Sequence, residues 1–184
     1  MRKLGRTGEQ PAGMTMVELA TAVMMLGILA AIAIPGILGG IQRTGVDGAS
    51  RQLAEDIRLA QSNALTRGAQ ARLIVFDQTG VVPTSPSTIT DTTKANKYRV
   101  ELRSSASASW PALTDTPGGN PNVLTVWNDI ASQYRGVAVT TGNAVIFNSL
   151  GGLTNSTIPA TIVLQGQGGA KTVQTNLIGK ATIL

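Results

Sequence analysis

The chain of 184 residues contains no cysteine and no histidine. That excludes disulfides, thiol nucleophiles, imidazole bases and most zinc sites. Stability outside the cytoplasm would have to come from packing and assembly rather than from covalent staples. Aromatic residues make up only 3%, so a core in the C-terminal part must rest on Val, Ile and Leu, which favour strands. Carboxylates are few. Outside the N-terminal helical part they are Asp77, Asp91, Glu101, Asp115 and Asp129, and no pair has a spacing suited to acid–base work. No enzyme, cofactor or metal site is expected. Asp115 and Asp129 read as solvated loop carboxylates rather than calcium ligands, because such a site needs several oxygens at one point. Gly118-Gly119 and Gly166 to Gly169 are not followed by the Lys-Ser/Thr and helix start of a phosphate loop.

What is present is unevenly placed. The first thirteen residues, MRKLGRTGEQPAG, are short, polar and basic, and a very apolar stretch runs from Met14 to Ile41. In an ordinary secretory signal the small-residue cleavage site follows the apolar core. Here the small residue, Gly13, precedes it, so cleavage there leaves the hydrophobic segment on the mature protein. At ~1.5 Å per residue the segment is long enough to cross a ~30 Å hydrocarbon core. The basic leader would stay cytoplasmic and place the C-terminal part outside. A plain single-pass anchor satisfies that composition. The one charge in the segment, Glu18, adds a question, since a carboxylate near the end of a membrane helix is costly unless it reaches the interface or finds a partner. Two readings stand on the residue itself. Glu18 snorkels, or it pairs with the free amine of a trimmed Met14 on a neighbouring copy. Small residues crowd the same segment and permit close helix packing. Pro35, with Gly36, Gly39 and Gly40 beyond it, would kink or locally open the helix; a melted stretch from Pro35 to Gly40 is expected in the assembled state.

Beyond Ile41 the chain turns polar yet keeps a helical period to about Arg67. Val46, Ala49, Leu53, Ile57, Ala60 and Ala64 mark one apolar face, and Gly68 supplies a C-terminal cap. From residue 69 the pattern is all-β. Strands are expected at Arg72–Phe76, Tyr98–Leu102, Val123–Trp127, Gly136–Thr140, Ala144–Phe147, Thr161–Leu164 and Lys171–Ile178, with a last edge piece at Lys180–Leu184. Thr141-Gly142-Asn143 suggests a tight hairpin and Gln165 to Gly169 a Gly-rich one. Val82 to Lys97 and Ser104 to Pro121 read as exposed loops. The expected fold is α+β: a leader at 1–13, a membrane or filament-core helix at 14–41, its amphipathic continuation at 42–68, and an antiparallel β domain at 69–184. The net charge is +5, a mild basic bias. Lys94, Lys97, Arg99 and Arg103 form the densest cluster, with Tyr98 between them. They read as charged edge residues that discourage aggregation, or as a small nucleic-acid contact.

Gly13-Met14-Thr15-Met16-Val17-Glu18-Leu19 resembles the processing motif of type IV pilins and pseudopilins, usually Gly-Phe-Thr-Leu-Ile-Glu-Leu. Met14 departs from the usual Phe, and Pro35 falls where many relatives carry a helix-kinking proline. The resemblance implies that a prepilin peptidase cuts between Gly13 and Met14 and methylates the new amine. It also implies that Glu18, with Thr15 and Pro35 in the same segment, serves assembly. The stretch RQLAEDIRLAQSNALTRGAQARLIVF narrows the resemblance to GspH/FimT-type minor pilins and pseudopilins through Leu53, Asp56, Ile57, Ala60, Ala64, Arg67 and Gly68. Phe147 to Gly152 and the closing Gly179-Lys180 resemble later steps of that family, with Gly152 and Lys180 standing where arginines are common. The implied function is a non-enzymatic subunit of a type IV pilus or type II secretion pseudopilus. Its implied partners are other pilins and an inner-membrane assembly platform. Before assembly it would be a single-pass protein of the inner membrane with its C-terminal domain periplasmic. In some relatives a Gly-Arg-x-Arg tail contributes to binding DNA; here the tail carries one cation, Lys180. The alternative, a DNA-capturing subunit, would use Lys94, Lys97, Arg99, Arg103 and Lys180.

Overall fold

A computed structural model describes residues 13–83, 88–154 and 159–184, apart from the side chains of 34–43. The leader expected before Gly13 and the side chain of Pro35 lie outside the described residues. A long helix, α1, runs Met16–Arg67. Its backbone is helical from Pro35 to Gly40 in this isolated chain, whereas the opening expected there belongs to the assembled state. The chain separates into two compact units between Leu38 and Gly39.

In the first unit the described part of α1 is apolar and open to its surroundings. Met16–Ala33 is long and apolar enough to cross a membrane, and none of that window is buried. Met16, Val23, Met24, Leu29 and Ile32 are all exposed.

The second unit begins with the amphipathic half of α1. Val46, Ala49, Leu53, Ile57, Ala60 and Ala64, the residues picked out by periodicity, are all buried, Leu53 and Ile57 completely. Each large aliphatic side chain buried in this way contributes about 1.5–3 kcal/mol. Gly68 ends the helix with φ +58°, a left-handed conformation that glycine adopts without steric cost. The strands that follow are β1 (Gln70–Val75), β2 (Val81–Val82), β3 (Ile89–Thr90), β4 (Lys97–Arg103), β5 (Asn128–Asp129), β6 (Ala138–Thr141), β7 (Asn143–Phe147), β8 (Ala160–Gly166), β9 (Gly169–Thr175) and β10 (Ala181–Ile183). A short helix, α2, occupies Ile130–Gln133. The main strands form two four-stranded antiparallel sheets, ordered β5-β4-β1-β7 and β10-β9-β8-β6, while β2 and β3 make a small arm. One core unites the buried face of α1 with Leu73, Val75, Val100, Val145 and Phe147 of the first sheet and Val139, Ile162, Leu164 and Val173 of the second.

Three local expectations are corrected. Thr141-Gly142-Asn143 is no hairpin, since β6 and β7 pair into different sheets. It is a crossover in which a Cβ on Gly142 would collide with the carbonyl of Val75. Val123–Trp127 is not a strand. Val123 makes an isolated bridge to Glu101, and only Asn128–Asp129 add to the edge of β4. Ser104 to Pro121 has no regular structure, as expected, but it is anchored on the protein rather than free, as described below. The Gly-rich turn at the other end is a true hairpin, closing β8 on β9 with Gly166 opposite Gly169.

Candidate assembly site

The start of α1 is held by two residues of the motif. Thr15 Oγ1 accepts a hydrogen bond from the Glu18 backbone N–H at 3.2 Å, and Glu18 Oε2 accepts from the Thr15 backbone N–H at 2.9 Å. The Thr15 hydroxyl also donates to Glu18 Oε2, at 3.0 Å. This reciprocal cap satisfies two donors that a helix start otherwise leaves unpaired, and it places a carboxylate at the positive end of the helix dipole. Thr and Glu three residues apart before an apolar run carry that capping signature in the sequence itself, a signal that the reading of Glu18 as an intermolecular partner passes over. Both residues are exposed, as are Gly13 and Met14. The carboxylate is thus oriented at the exposed tip of an apolar helix, three residues from the Thr15 amide and four from Met14.

The basic cluster is arranged quite differently from a surface patch. The two faces of β4 are both covered. Tyr98, Val100 and Leu102 point into the main core. Arg99 and Glu101, on the opposite face, are fully buried. Glu101 accepts from both Arg72 Nε, at 2.7 Å, and Arg99 Nε. Arg99 Nη1 and Nη2 donate to the carbonyls of Asp115 (2.8 Å) and Ala112 (2.7 Å). Arg103 donates to Gln70 Oε1 and to the Ala108 carbonyl. The guanidinium groups also stack on indole rings: Arg72 and Arg103 on Trp110, Arg99 on Trp127. Trp127 in turn donates to the Leu113 carbonyl. The segment from Ser104 to Trp127 is therefore strapped over the outer face of the first sheet by buried arginines. Burial works to lower the pKa of the Arg72 guanidinium, and the Glu101 carboxylate beside it opposes this.

Tyr98 has no ring face for a base. It is buried and donates to Asp56 Oδ2 of α1 at 2.8 Å. Burial, and then that hydrogen bond, push its phenol well above the ordinary range. Burial likewise raises the Asp56 carboxyl, with the Tyr98 hydrogen bond opposing. Lys94 sits over Trp127, with Nζ 5.2 Å from the ring centre, and Lys97 Nζ donates to the Thr93 carbonyl. Lys180 is exposed at the far end of the chain from these residues, in the turn before β10. Among the described residues no group of three carboxylates gathers that would hold a metal. Asp115 accepts from the Ala112 backbone and Asn120, while Asp129 caps α2 through Ser132.

No curated protein and no solved structure matches the chain. A family model does match residues 49–179, the model of the type II transport protein GspH. The matched stretch spans the buried face of α1 from Ala49 onward and nearly all of the β domain, and it leaves the N-terminal motif outside. With an apolar N-terminal helix leading into two antiparallel sheets and this match over most of its length, the chain belongs to the GspH family, the pseudopilins and minor pilins of type II transport.

Proposed function

We propose that the protein is a structural pseudopilin processed between Gly13 and Met14 and assembled through the exposed first half of α1. The observation that carries this reading is the pairing of a wholly unburied apolar helix with a capped carboxylate at its tip. An apolar surface of that length is stable only in lipid or against other helices. Cleavage by a prepilin peptidase would put an ammonium group on Met14, methylated by the same enzyme. In the water-poor centre of a fibre, that cation and Glu18 of an adjoining subunit stabilise each other strongly enough to select one axial register. The Thr15 cap would keep the carboxylate hydrogen-bonded before assembly. Until then the helix anchors the subunit in the inner membrane, with the β domain periplasmic, and an inner-membrane platform lifts it into the fibre. The family match favours the type II secretion machine over a pilus.

The test is Glu18→Ala in the full chain. Membrane insertion is expected to persist while incorporation into fibres is lost. Normal incorporation would refute the pairing role. Capture of DNA, the second function considered from sequence, has little surface to act through. Arg99 and Tyr98 are internal, which leaves Lys94, Lys97, Arg103 and Lys180 to neutralise very few phosphates.

A further inference from the structure

Contact between apolar surfaces is non-directional, so an apolar helix face does not by itself choose one rotation on the sheets it covers. The buried line of α1 in the second unit is of that kind. Val46, Leu53 and Ile57 share it with Ala49, Ala60 and Ala64, whose methyl groups give the face little relief. Polar side chains run along both sides of the line. At about 100° per residue, Gln52 and Asp56 lie on one flank and Asp47 and Gln61 on the other. The chain has two tyrosines, and both reach the first flank. Tyr98, from β4, donates to Asp56 Oδ2 at 2.8 Å, and Tyr134, which follows α2, donates to Gln52 Oε1 at 2.7 Å. The two acceptors stand one helical turn apart. Gly48 continues their row, and a Cβ there would stand 2.8 Å from the Tyr134 ring, so the ring packs where only a glycine leaves room. On the second flank Gln61 Nε2 donates to the carbonyls of Gly151 and Ile178, at 2.8 and 2.9 Å. Lys171 of β9 pairs with Asp47 at 3.3 Å, a half-exposed contact of small energy. Turning the helix either way about its axis pulls one flank off its partners. Burial opposes the charge of the half-buried Asp56, so the polar contact there adds little stability. Such a contact is suited to fixing one arrangement among several apolar ones.

We propose that Gln52 and Asp56, held by Tyr134 and Tyr98, are positioning residues for assembly. They fix the rotation of the second half of α1 on the β domain, so that every copy offers its neighbours one relation between the exposed helix face and the sheets. The proposal rests on the pseudopilin reading and adds to it the residues that make the folded unit uniform.

The chain has no cysteine, so a pair of spin labels can be attached at Glu55→Cys on α1 and Ala170→Cys on β9, both exposed positions. Pulsed electron resonance on the labelled full chain in detergent, well below its melting midpoint, reads the distance between them. With no other change, one narrow distance is expected. Tyr98→Phe combined with Tyr134→Phe is expected to broaden that distance or add a second one, while the midpoint falls by only about 2–4 °C for each lost bond. Incorporation of the unlabelled double variant into fibres is expected to fall about tenfold. Asp56→Asn keeps an acceptor for Tyr98 and should retain both the narrow distance and incorporation. A distance left narrow by the double variant, or broadened as much by Asp56→Asn, would overturn the proposal. So would normal incorporation of a double variant whose distance has broadened. A wild-type chain that keeps its narrow distance but enters no fibre would defeat the assembly reading instead, a result separate from the response of the distance to the tyrosines.

Discussion

The two units of this chain handle apolar surface in opposite ways. Before Leu38, large side chains such as Met16, Val17 and Ile32 stand open along α1, with 73–89% of Met16 and Ile32 exposed and Val17 close behind at 72%. After Gly39 the same helix turns Leu53 and Ile57 wholly inward, and the Ser104–Trp127 segment covers even an Arg–Glu–Arg cluster on the outer face of the first sheet. Among the described residues, the first unit leaves its large apolar side chains uncovered, while the second packs most of its own into a shared core. A helix shared by two such units fits the proposed subunit, whose folded domain would stay intact while its apolar end moves from lipid into a fibre.

Mutations can break that contrast. The largest effect is expected from Glu101→Ala, which leaves Arg72 and Arg99 buried without their shared carboxylate and should cost about 3–5 kcal/mol. Thermal unfolding of the full chain in detergent would show a much lower midpoint, and release of the Ser104–Trp127 strap should raise its protease sensitivity. An unchanged midpoint would mean that the cluster is not needed. Ile57→Ala should cost about 2–5 kcal/mol through the cavity it opens. Ile28→Ala, at an exposed position of the first unit, should leave the same midpoint unmoved. Equal effects from the two would erase the distinction.

The smallest effect concerns acid. Partial burial works to raise the Asp77 carboxyl, but hydrogen bonds from Thr79 and Val81 outweigh it, and its pKa ends below the ordinary value. A carboxyl depressed in the folded state binds fewer protons there than when unfolded. Its stabilisation is therefore full above its unfolded pKa and is lost as pH falls through the folded one. The melting difference between wild type and Asp77→Asn should shrink from about pH 4 downward. A difference that stays constant into acid would contradict the assignment.

Much of this was legible in the sequence, and the failures share one cause. The buried face of α1 follows from three- and four-residue steps, which need no knowledge of the partner sheet. Most strands follow from short runs of β-branched residues. Tyr98 and Arg99 illustrate the limit. Alternation along β4 separates them onto opposite faces, but the charged edge expected from Arg99 and its neighbours fails because the Ser104–Trp127 segment covers that face. That segment has no periodicity. Its place is fixed by carbonyls of Ala108, Ala112 and Asp115 meeting arginines of β4, a match of backbone geometry that leaves no mark on residue order. The tight hairpin expected at Thr141-Gly142-Asn143 fails for a similar reason: a hairpin and a crossover use the same turn residues, and only strand pairing separates them. The Thr15–Glu18 cap, in contrast, was present as a local signal.

The central claim is that trimming after Gly13 creates the cation that Glu18 meets in a fibre. Mass analysis of the N-terminus, on full-length protein recovered from membranes that contain an active prepilin peptidase, tests it most directly. The account predicts a chain that begins at N-methylated Met14. A chain that still begins at Met1 under those conditions would contradict it.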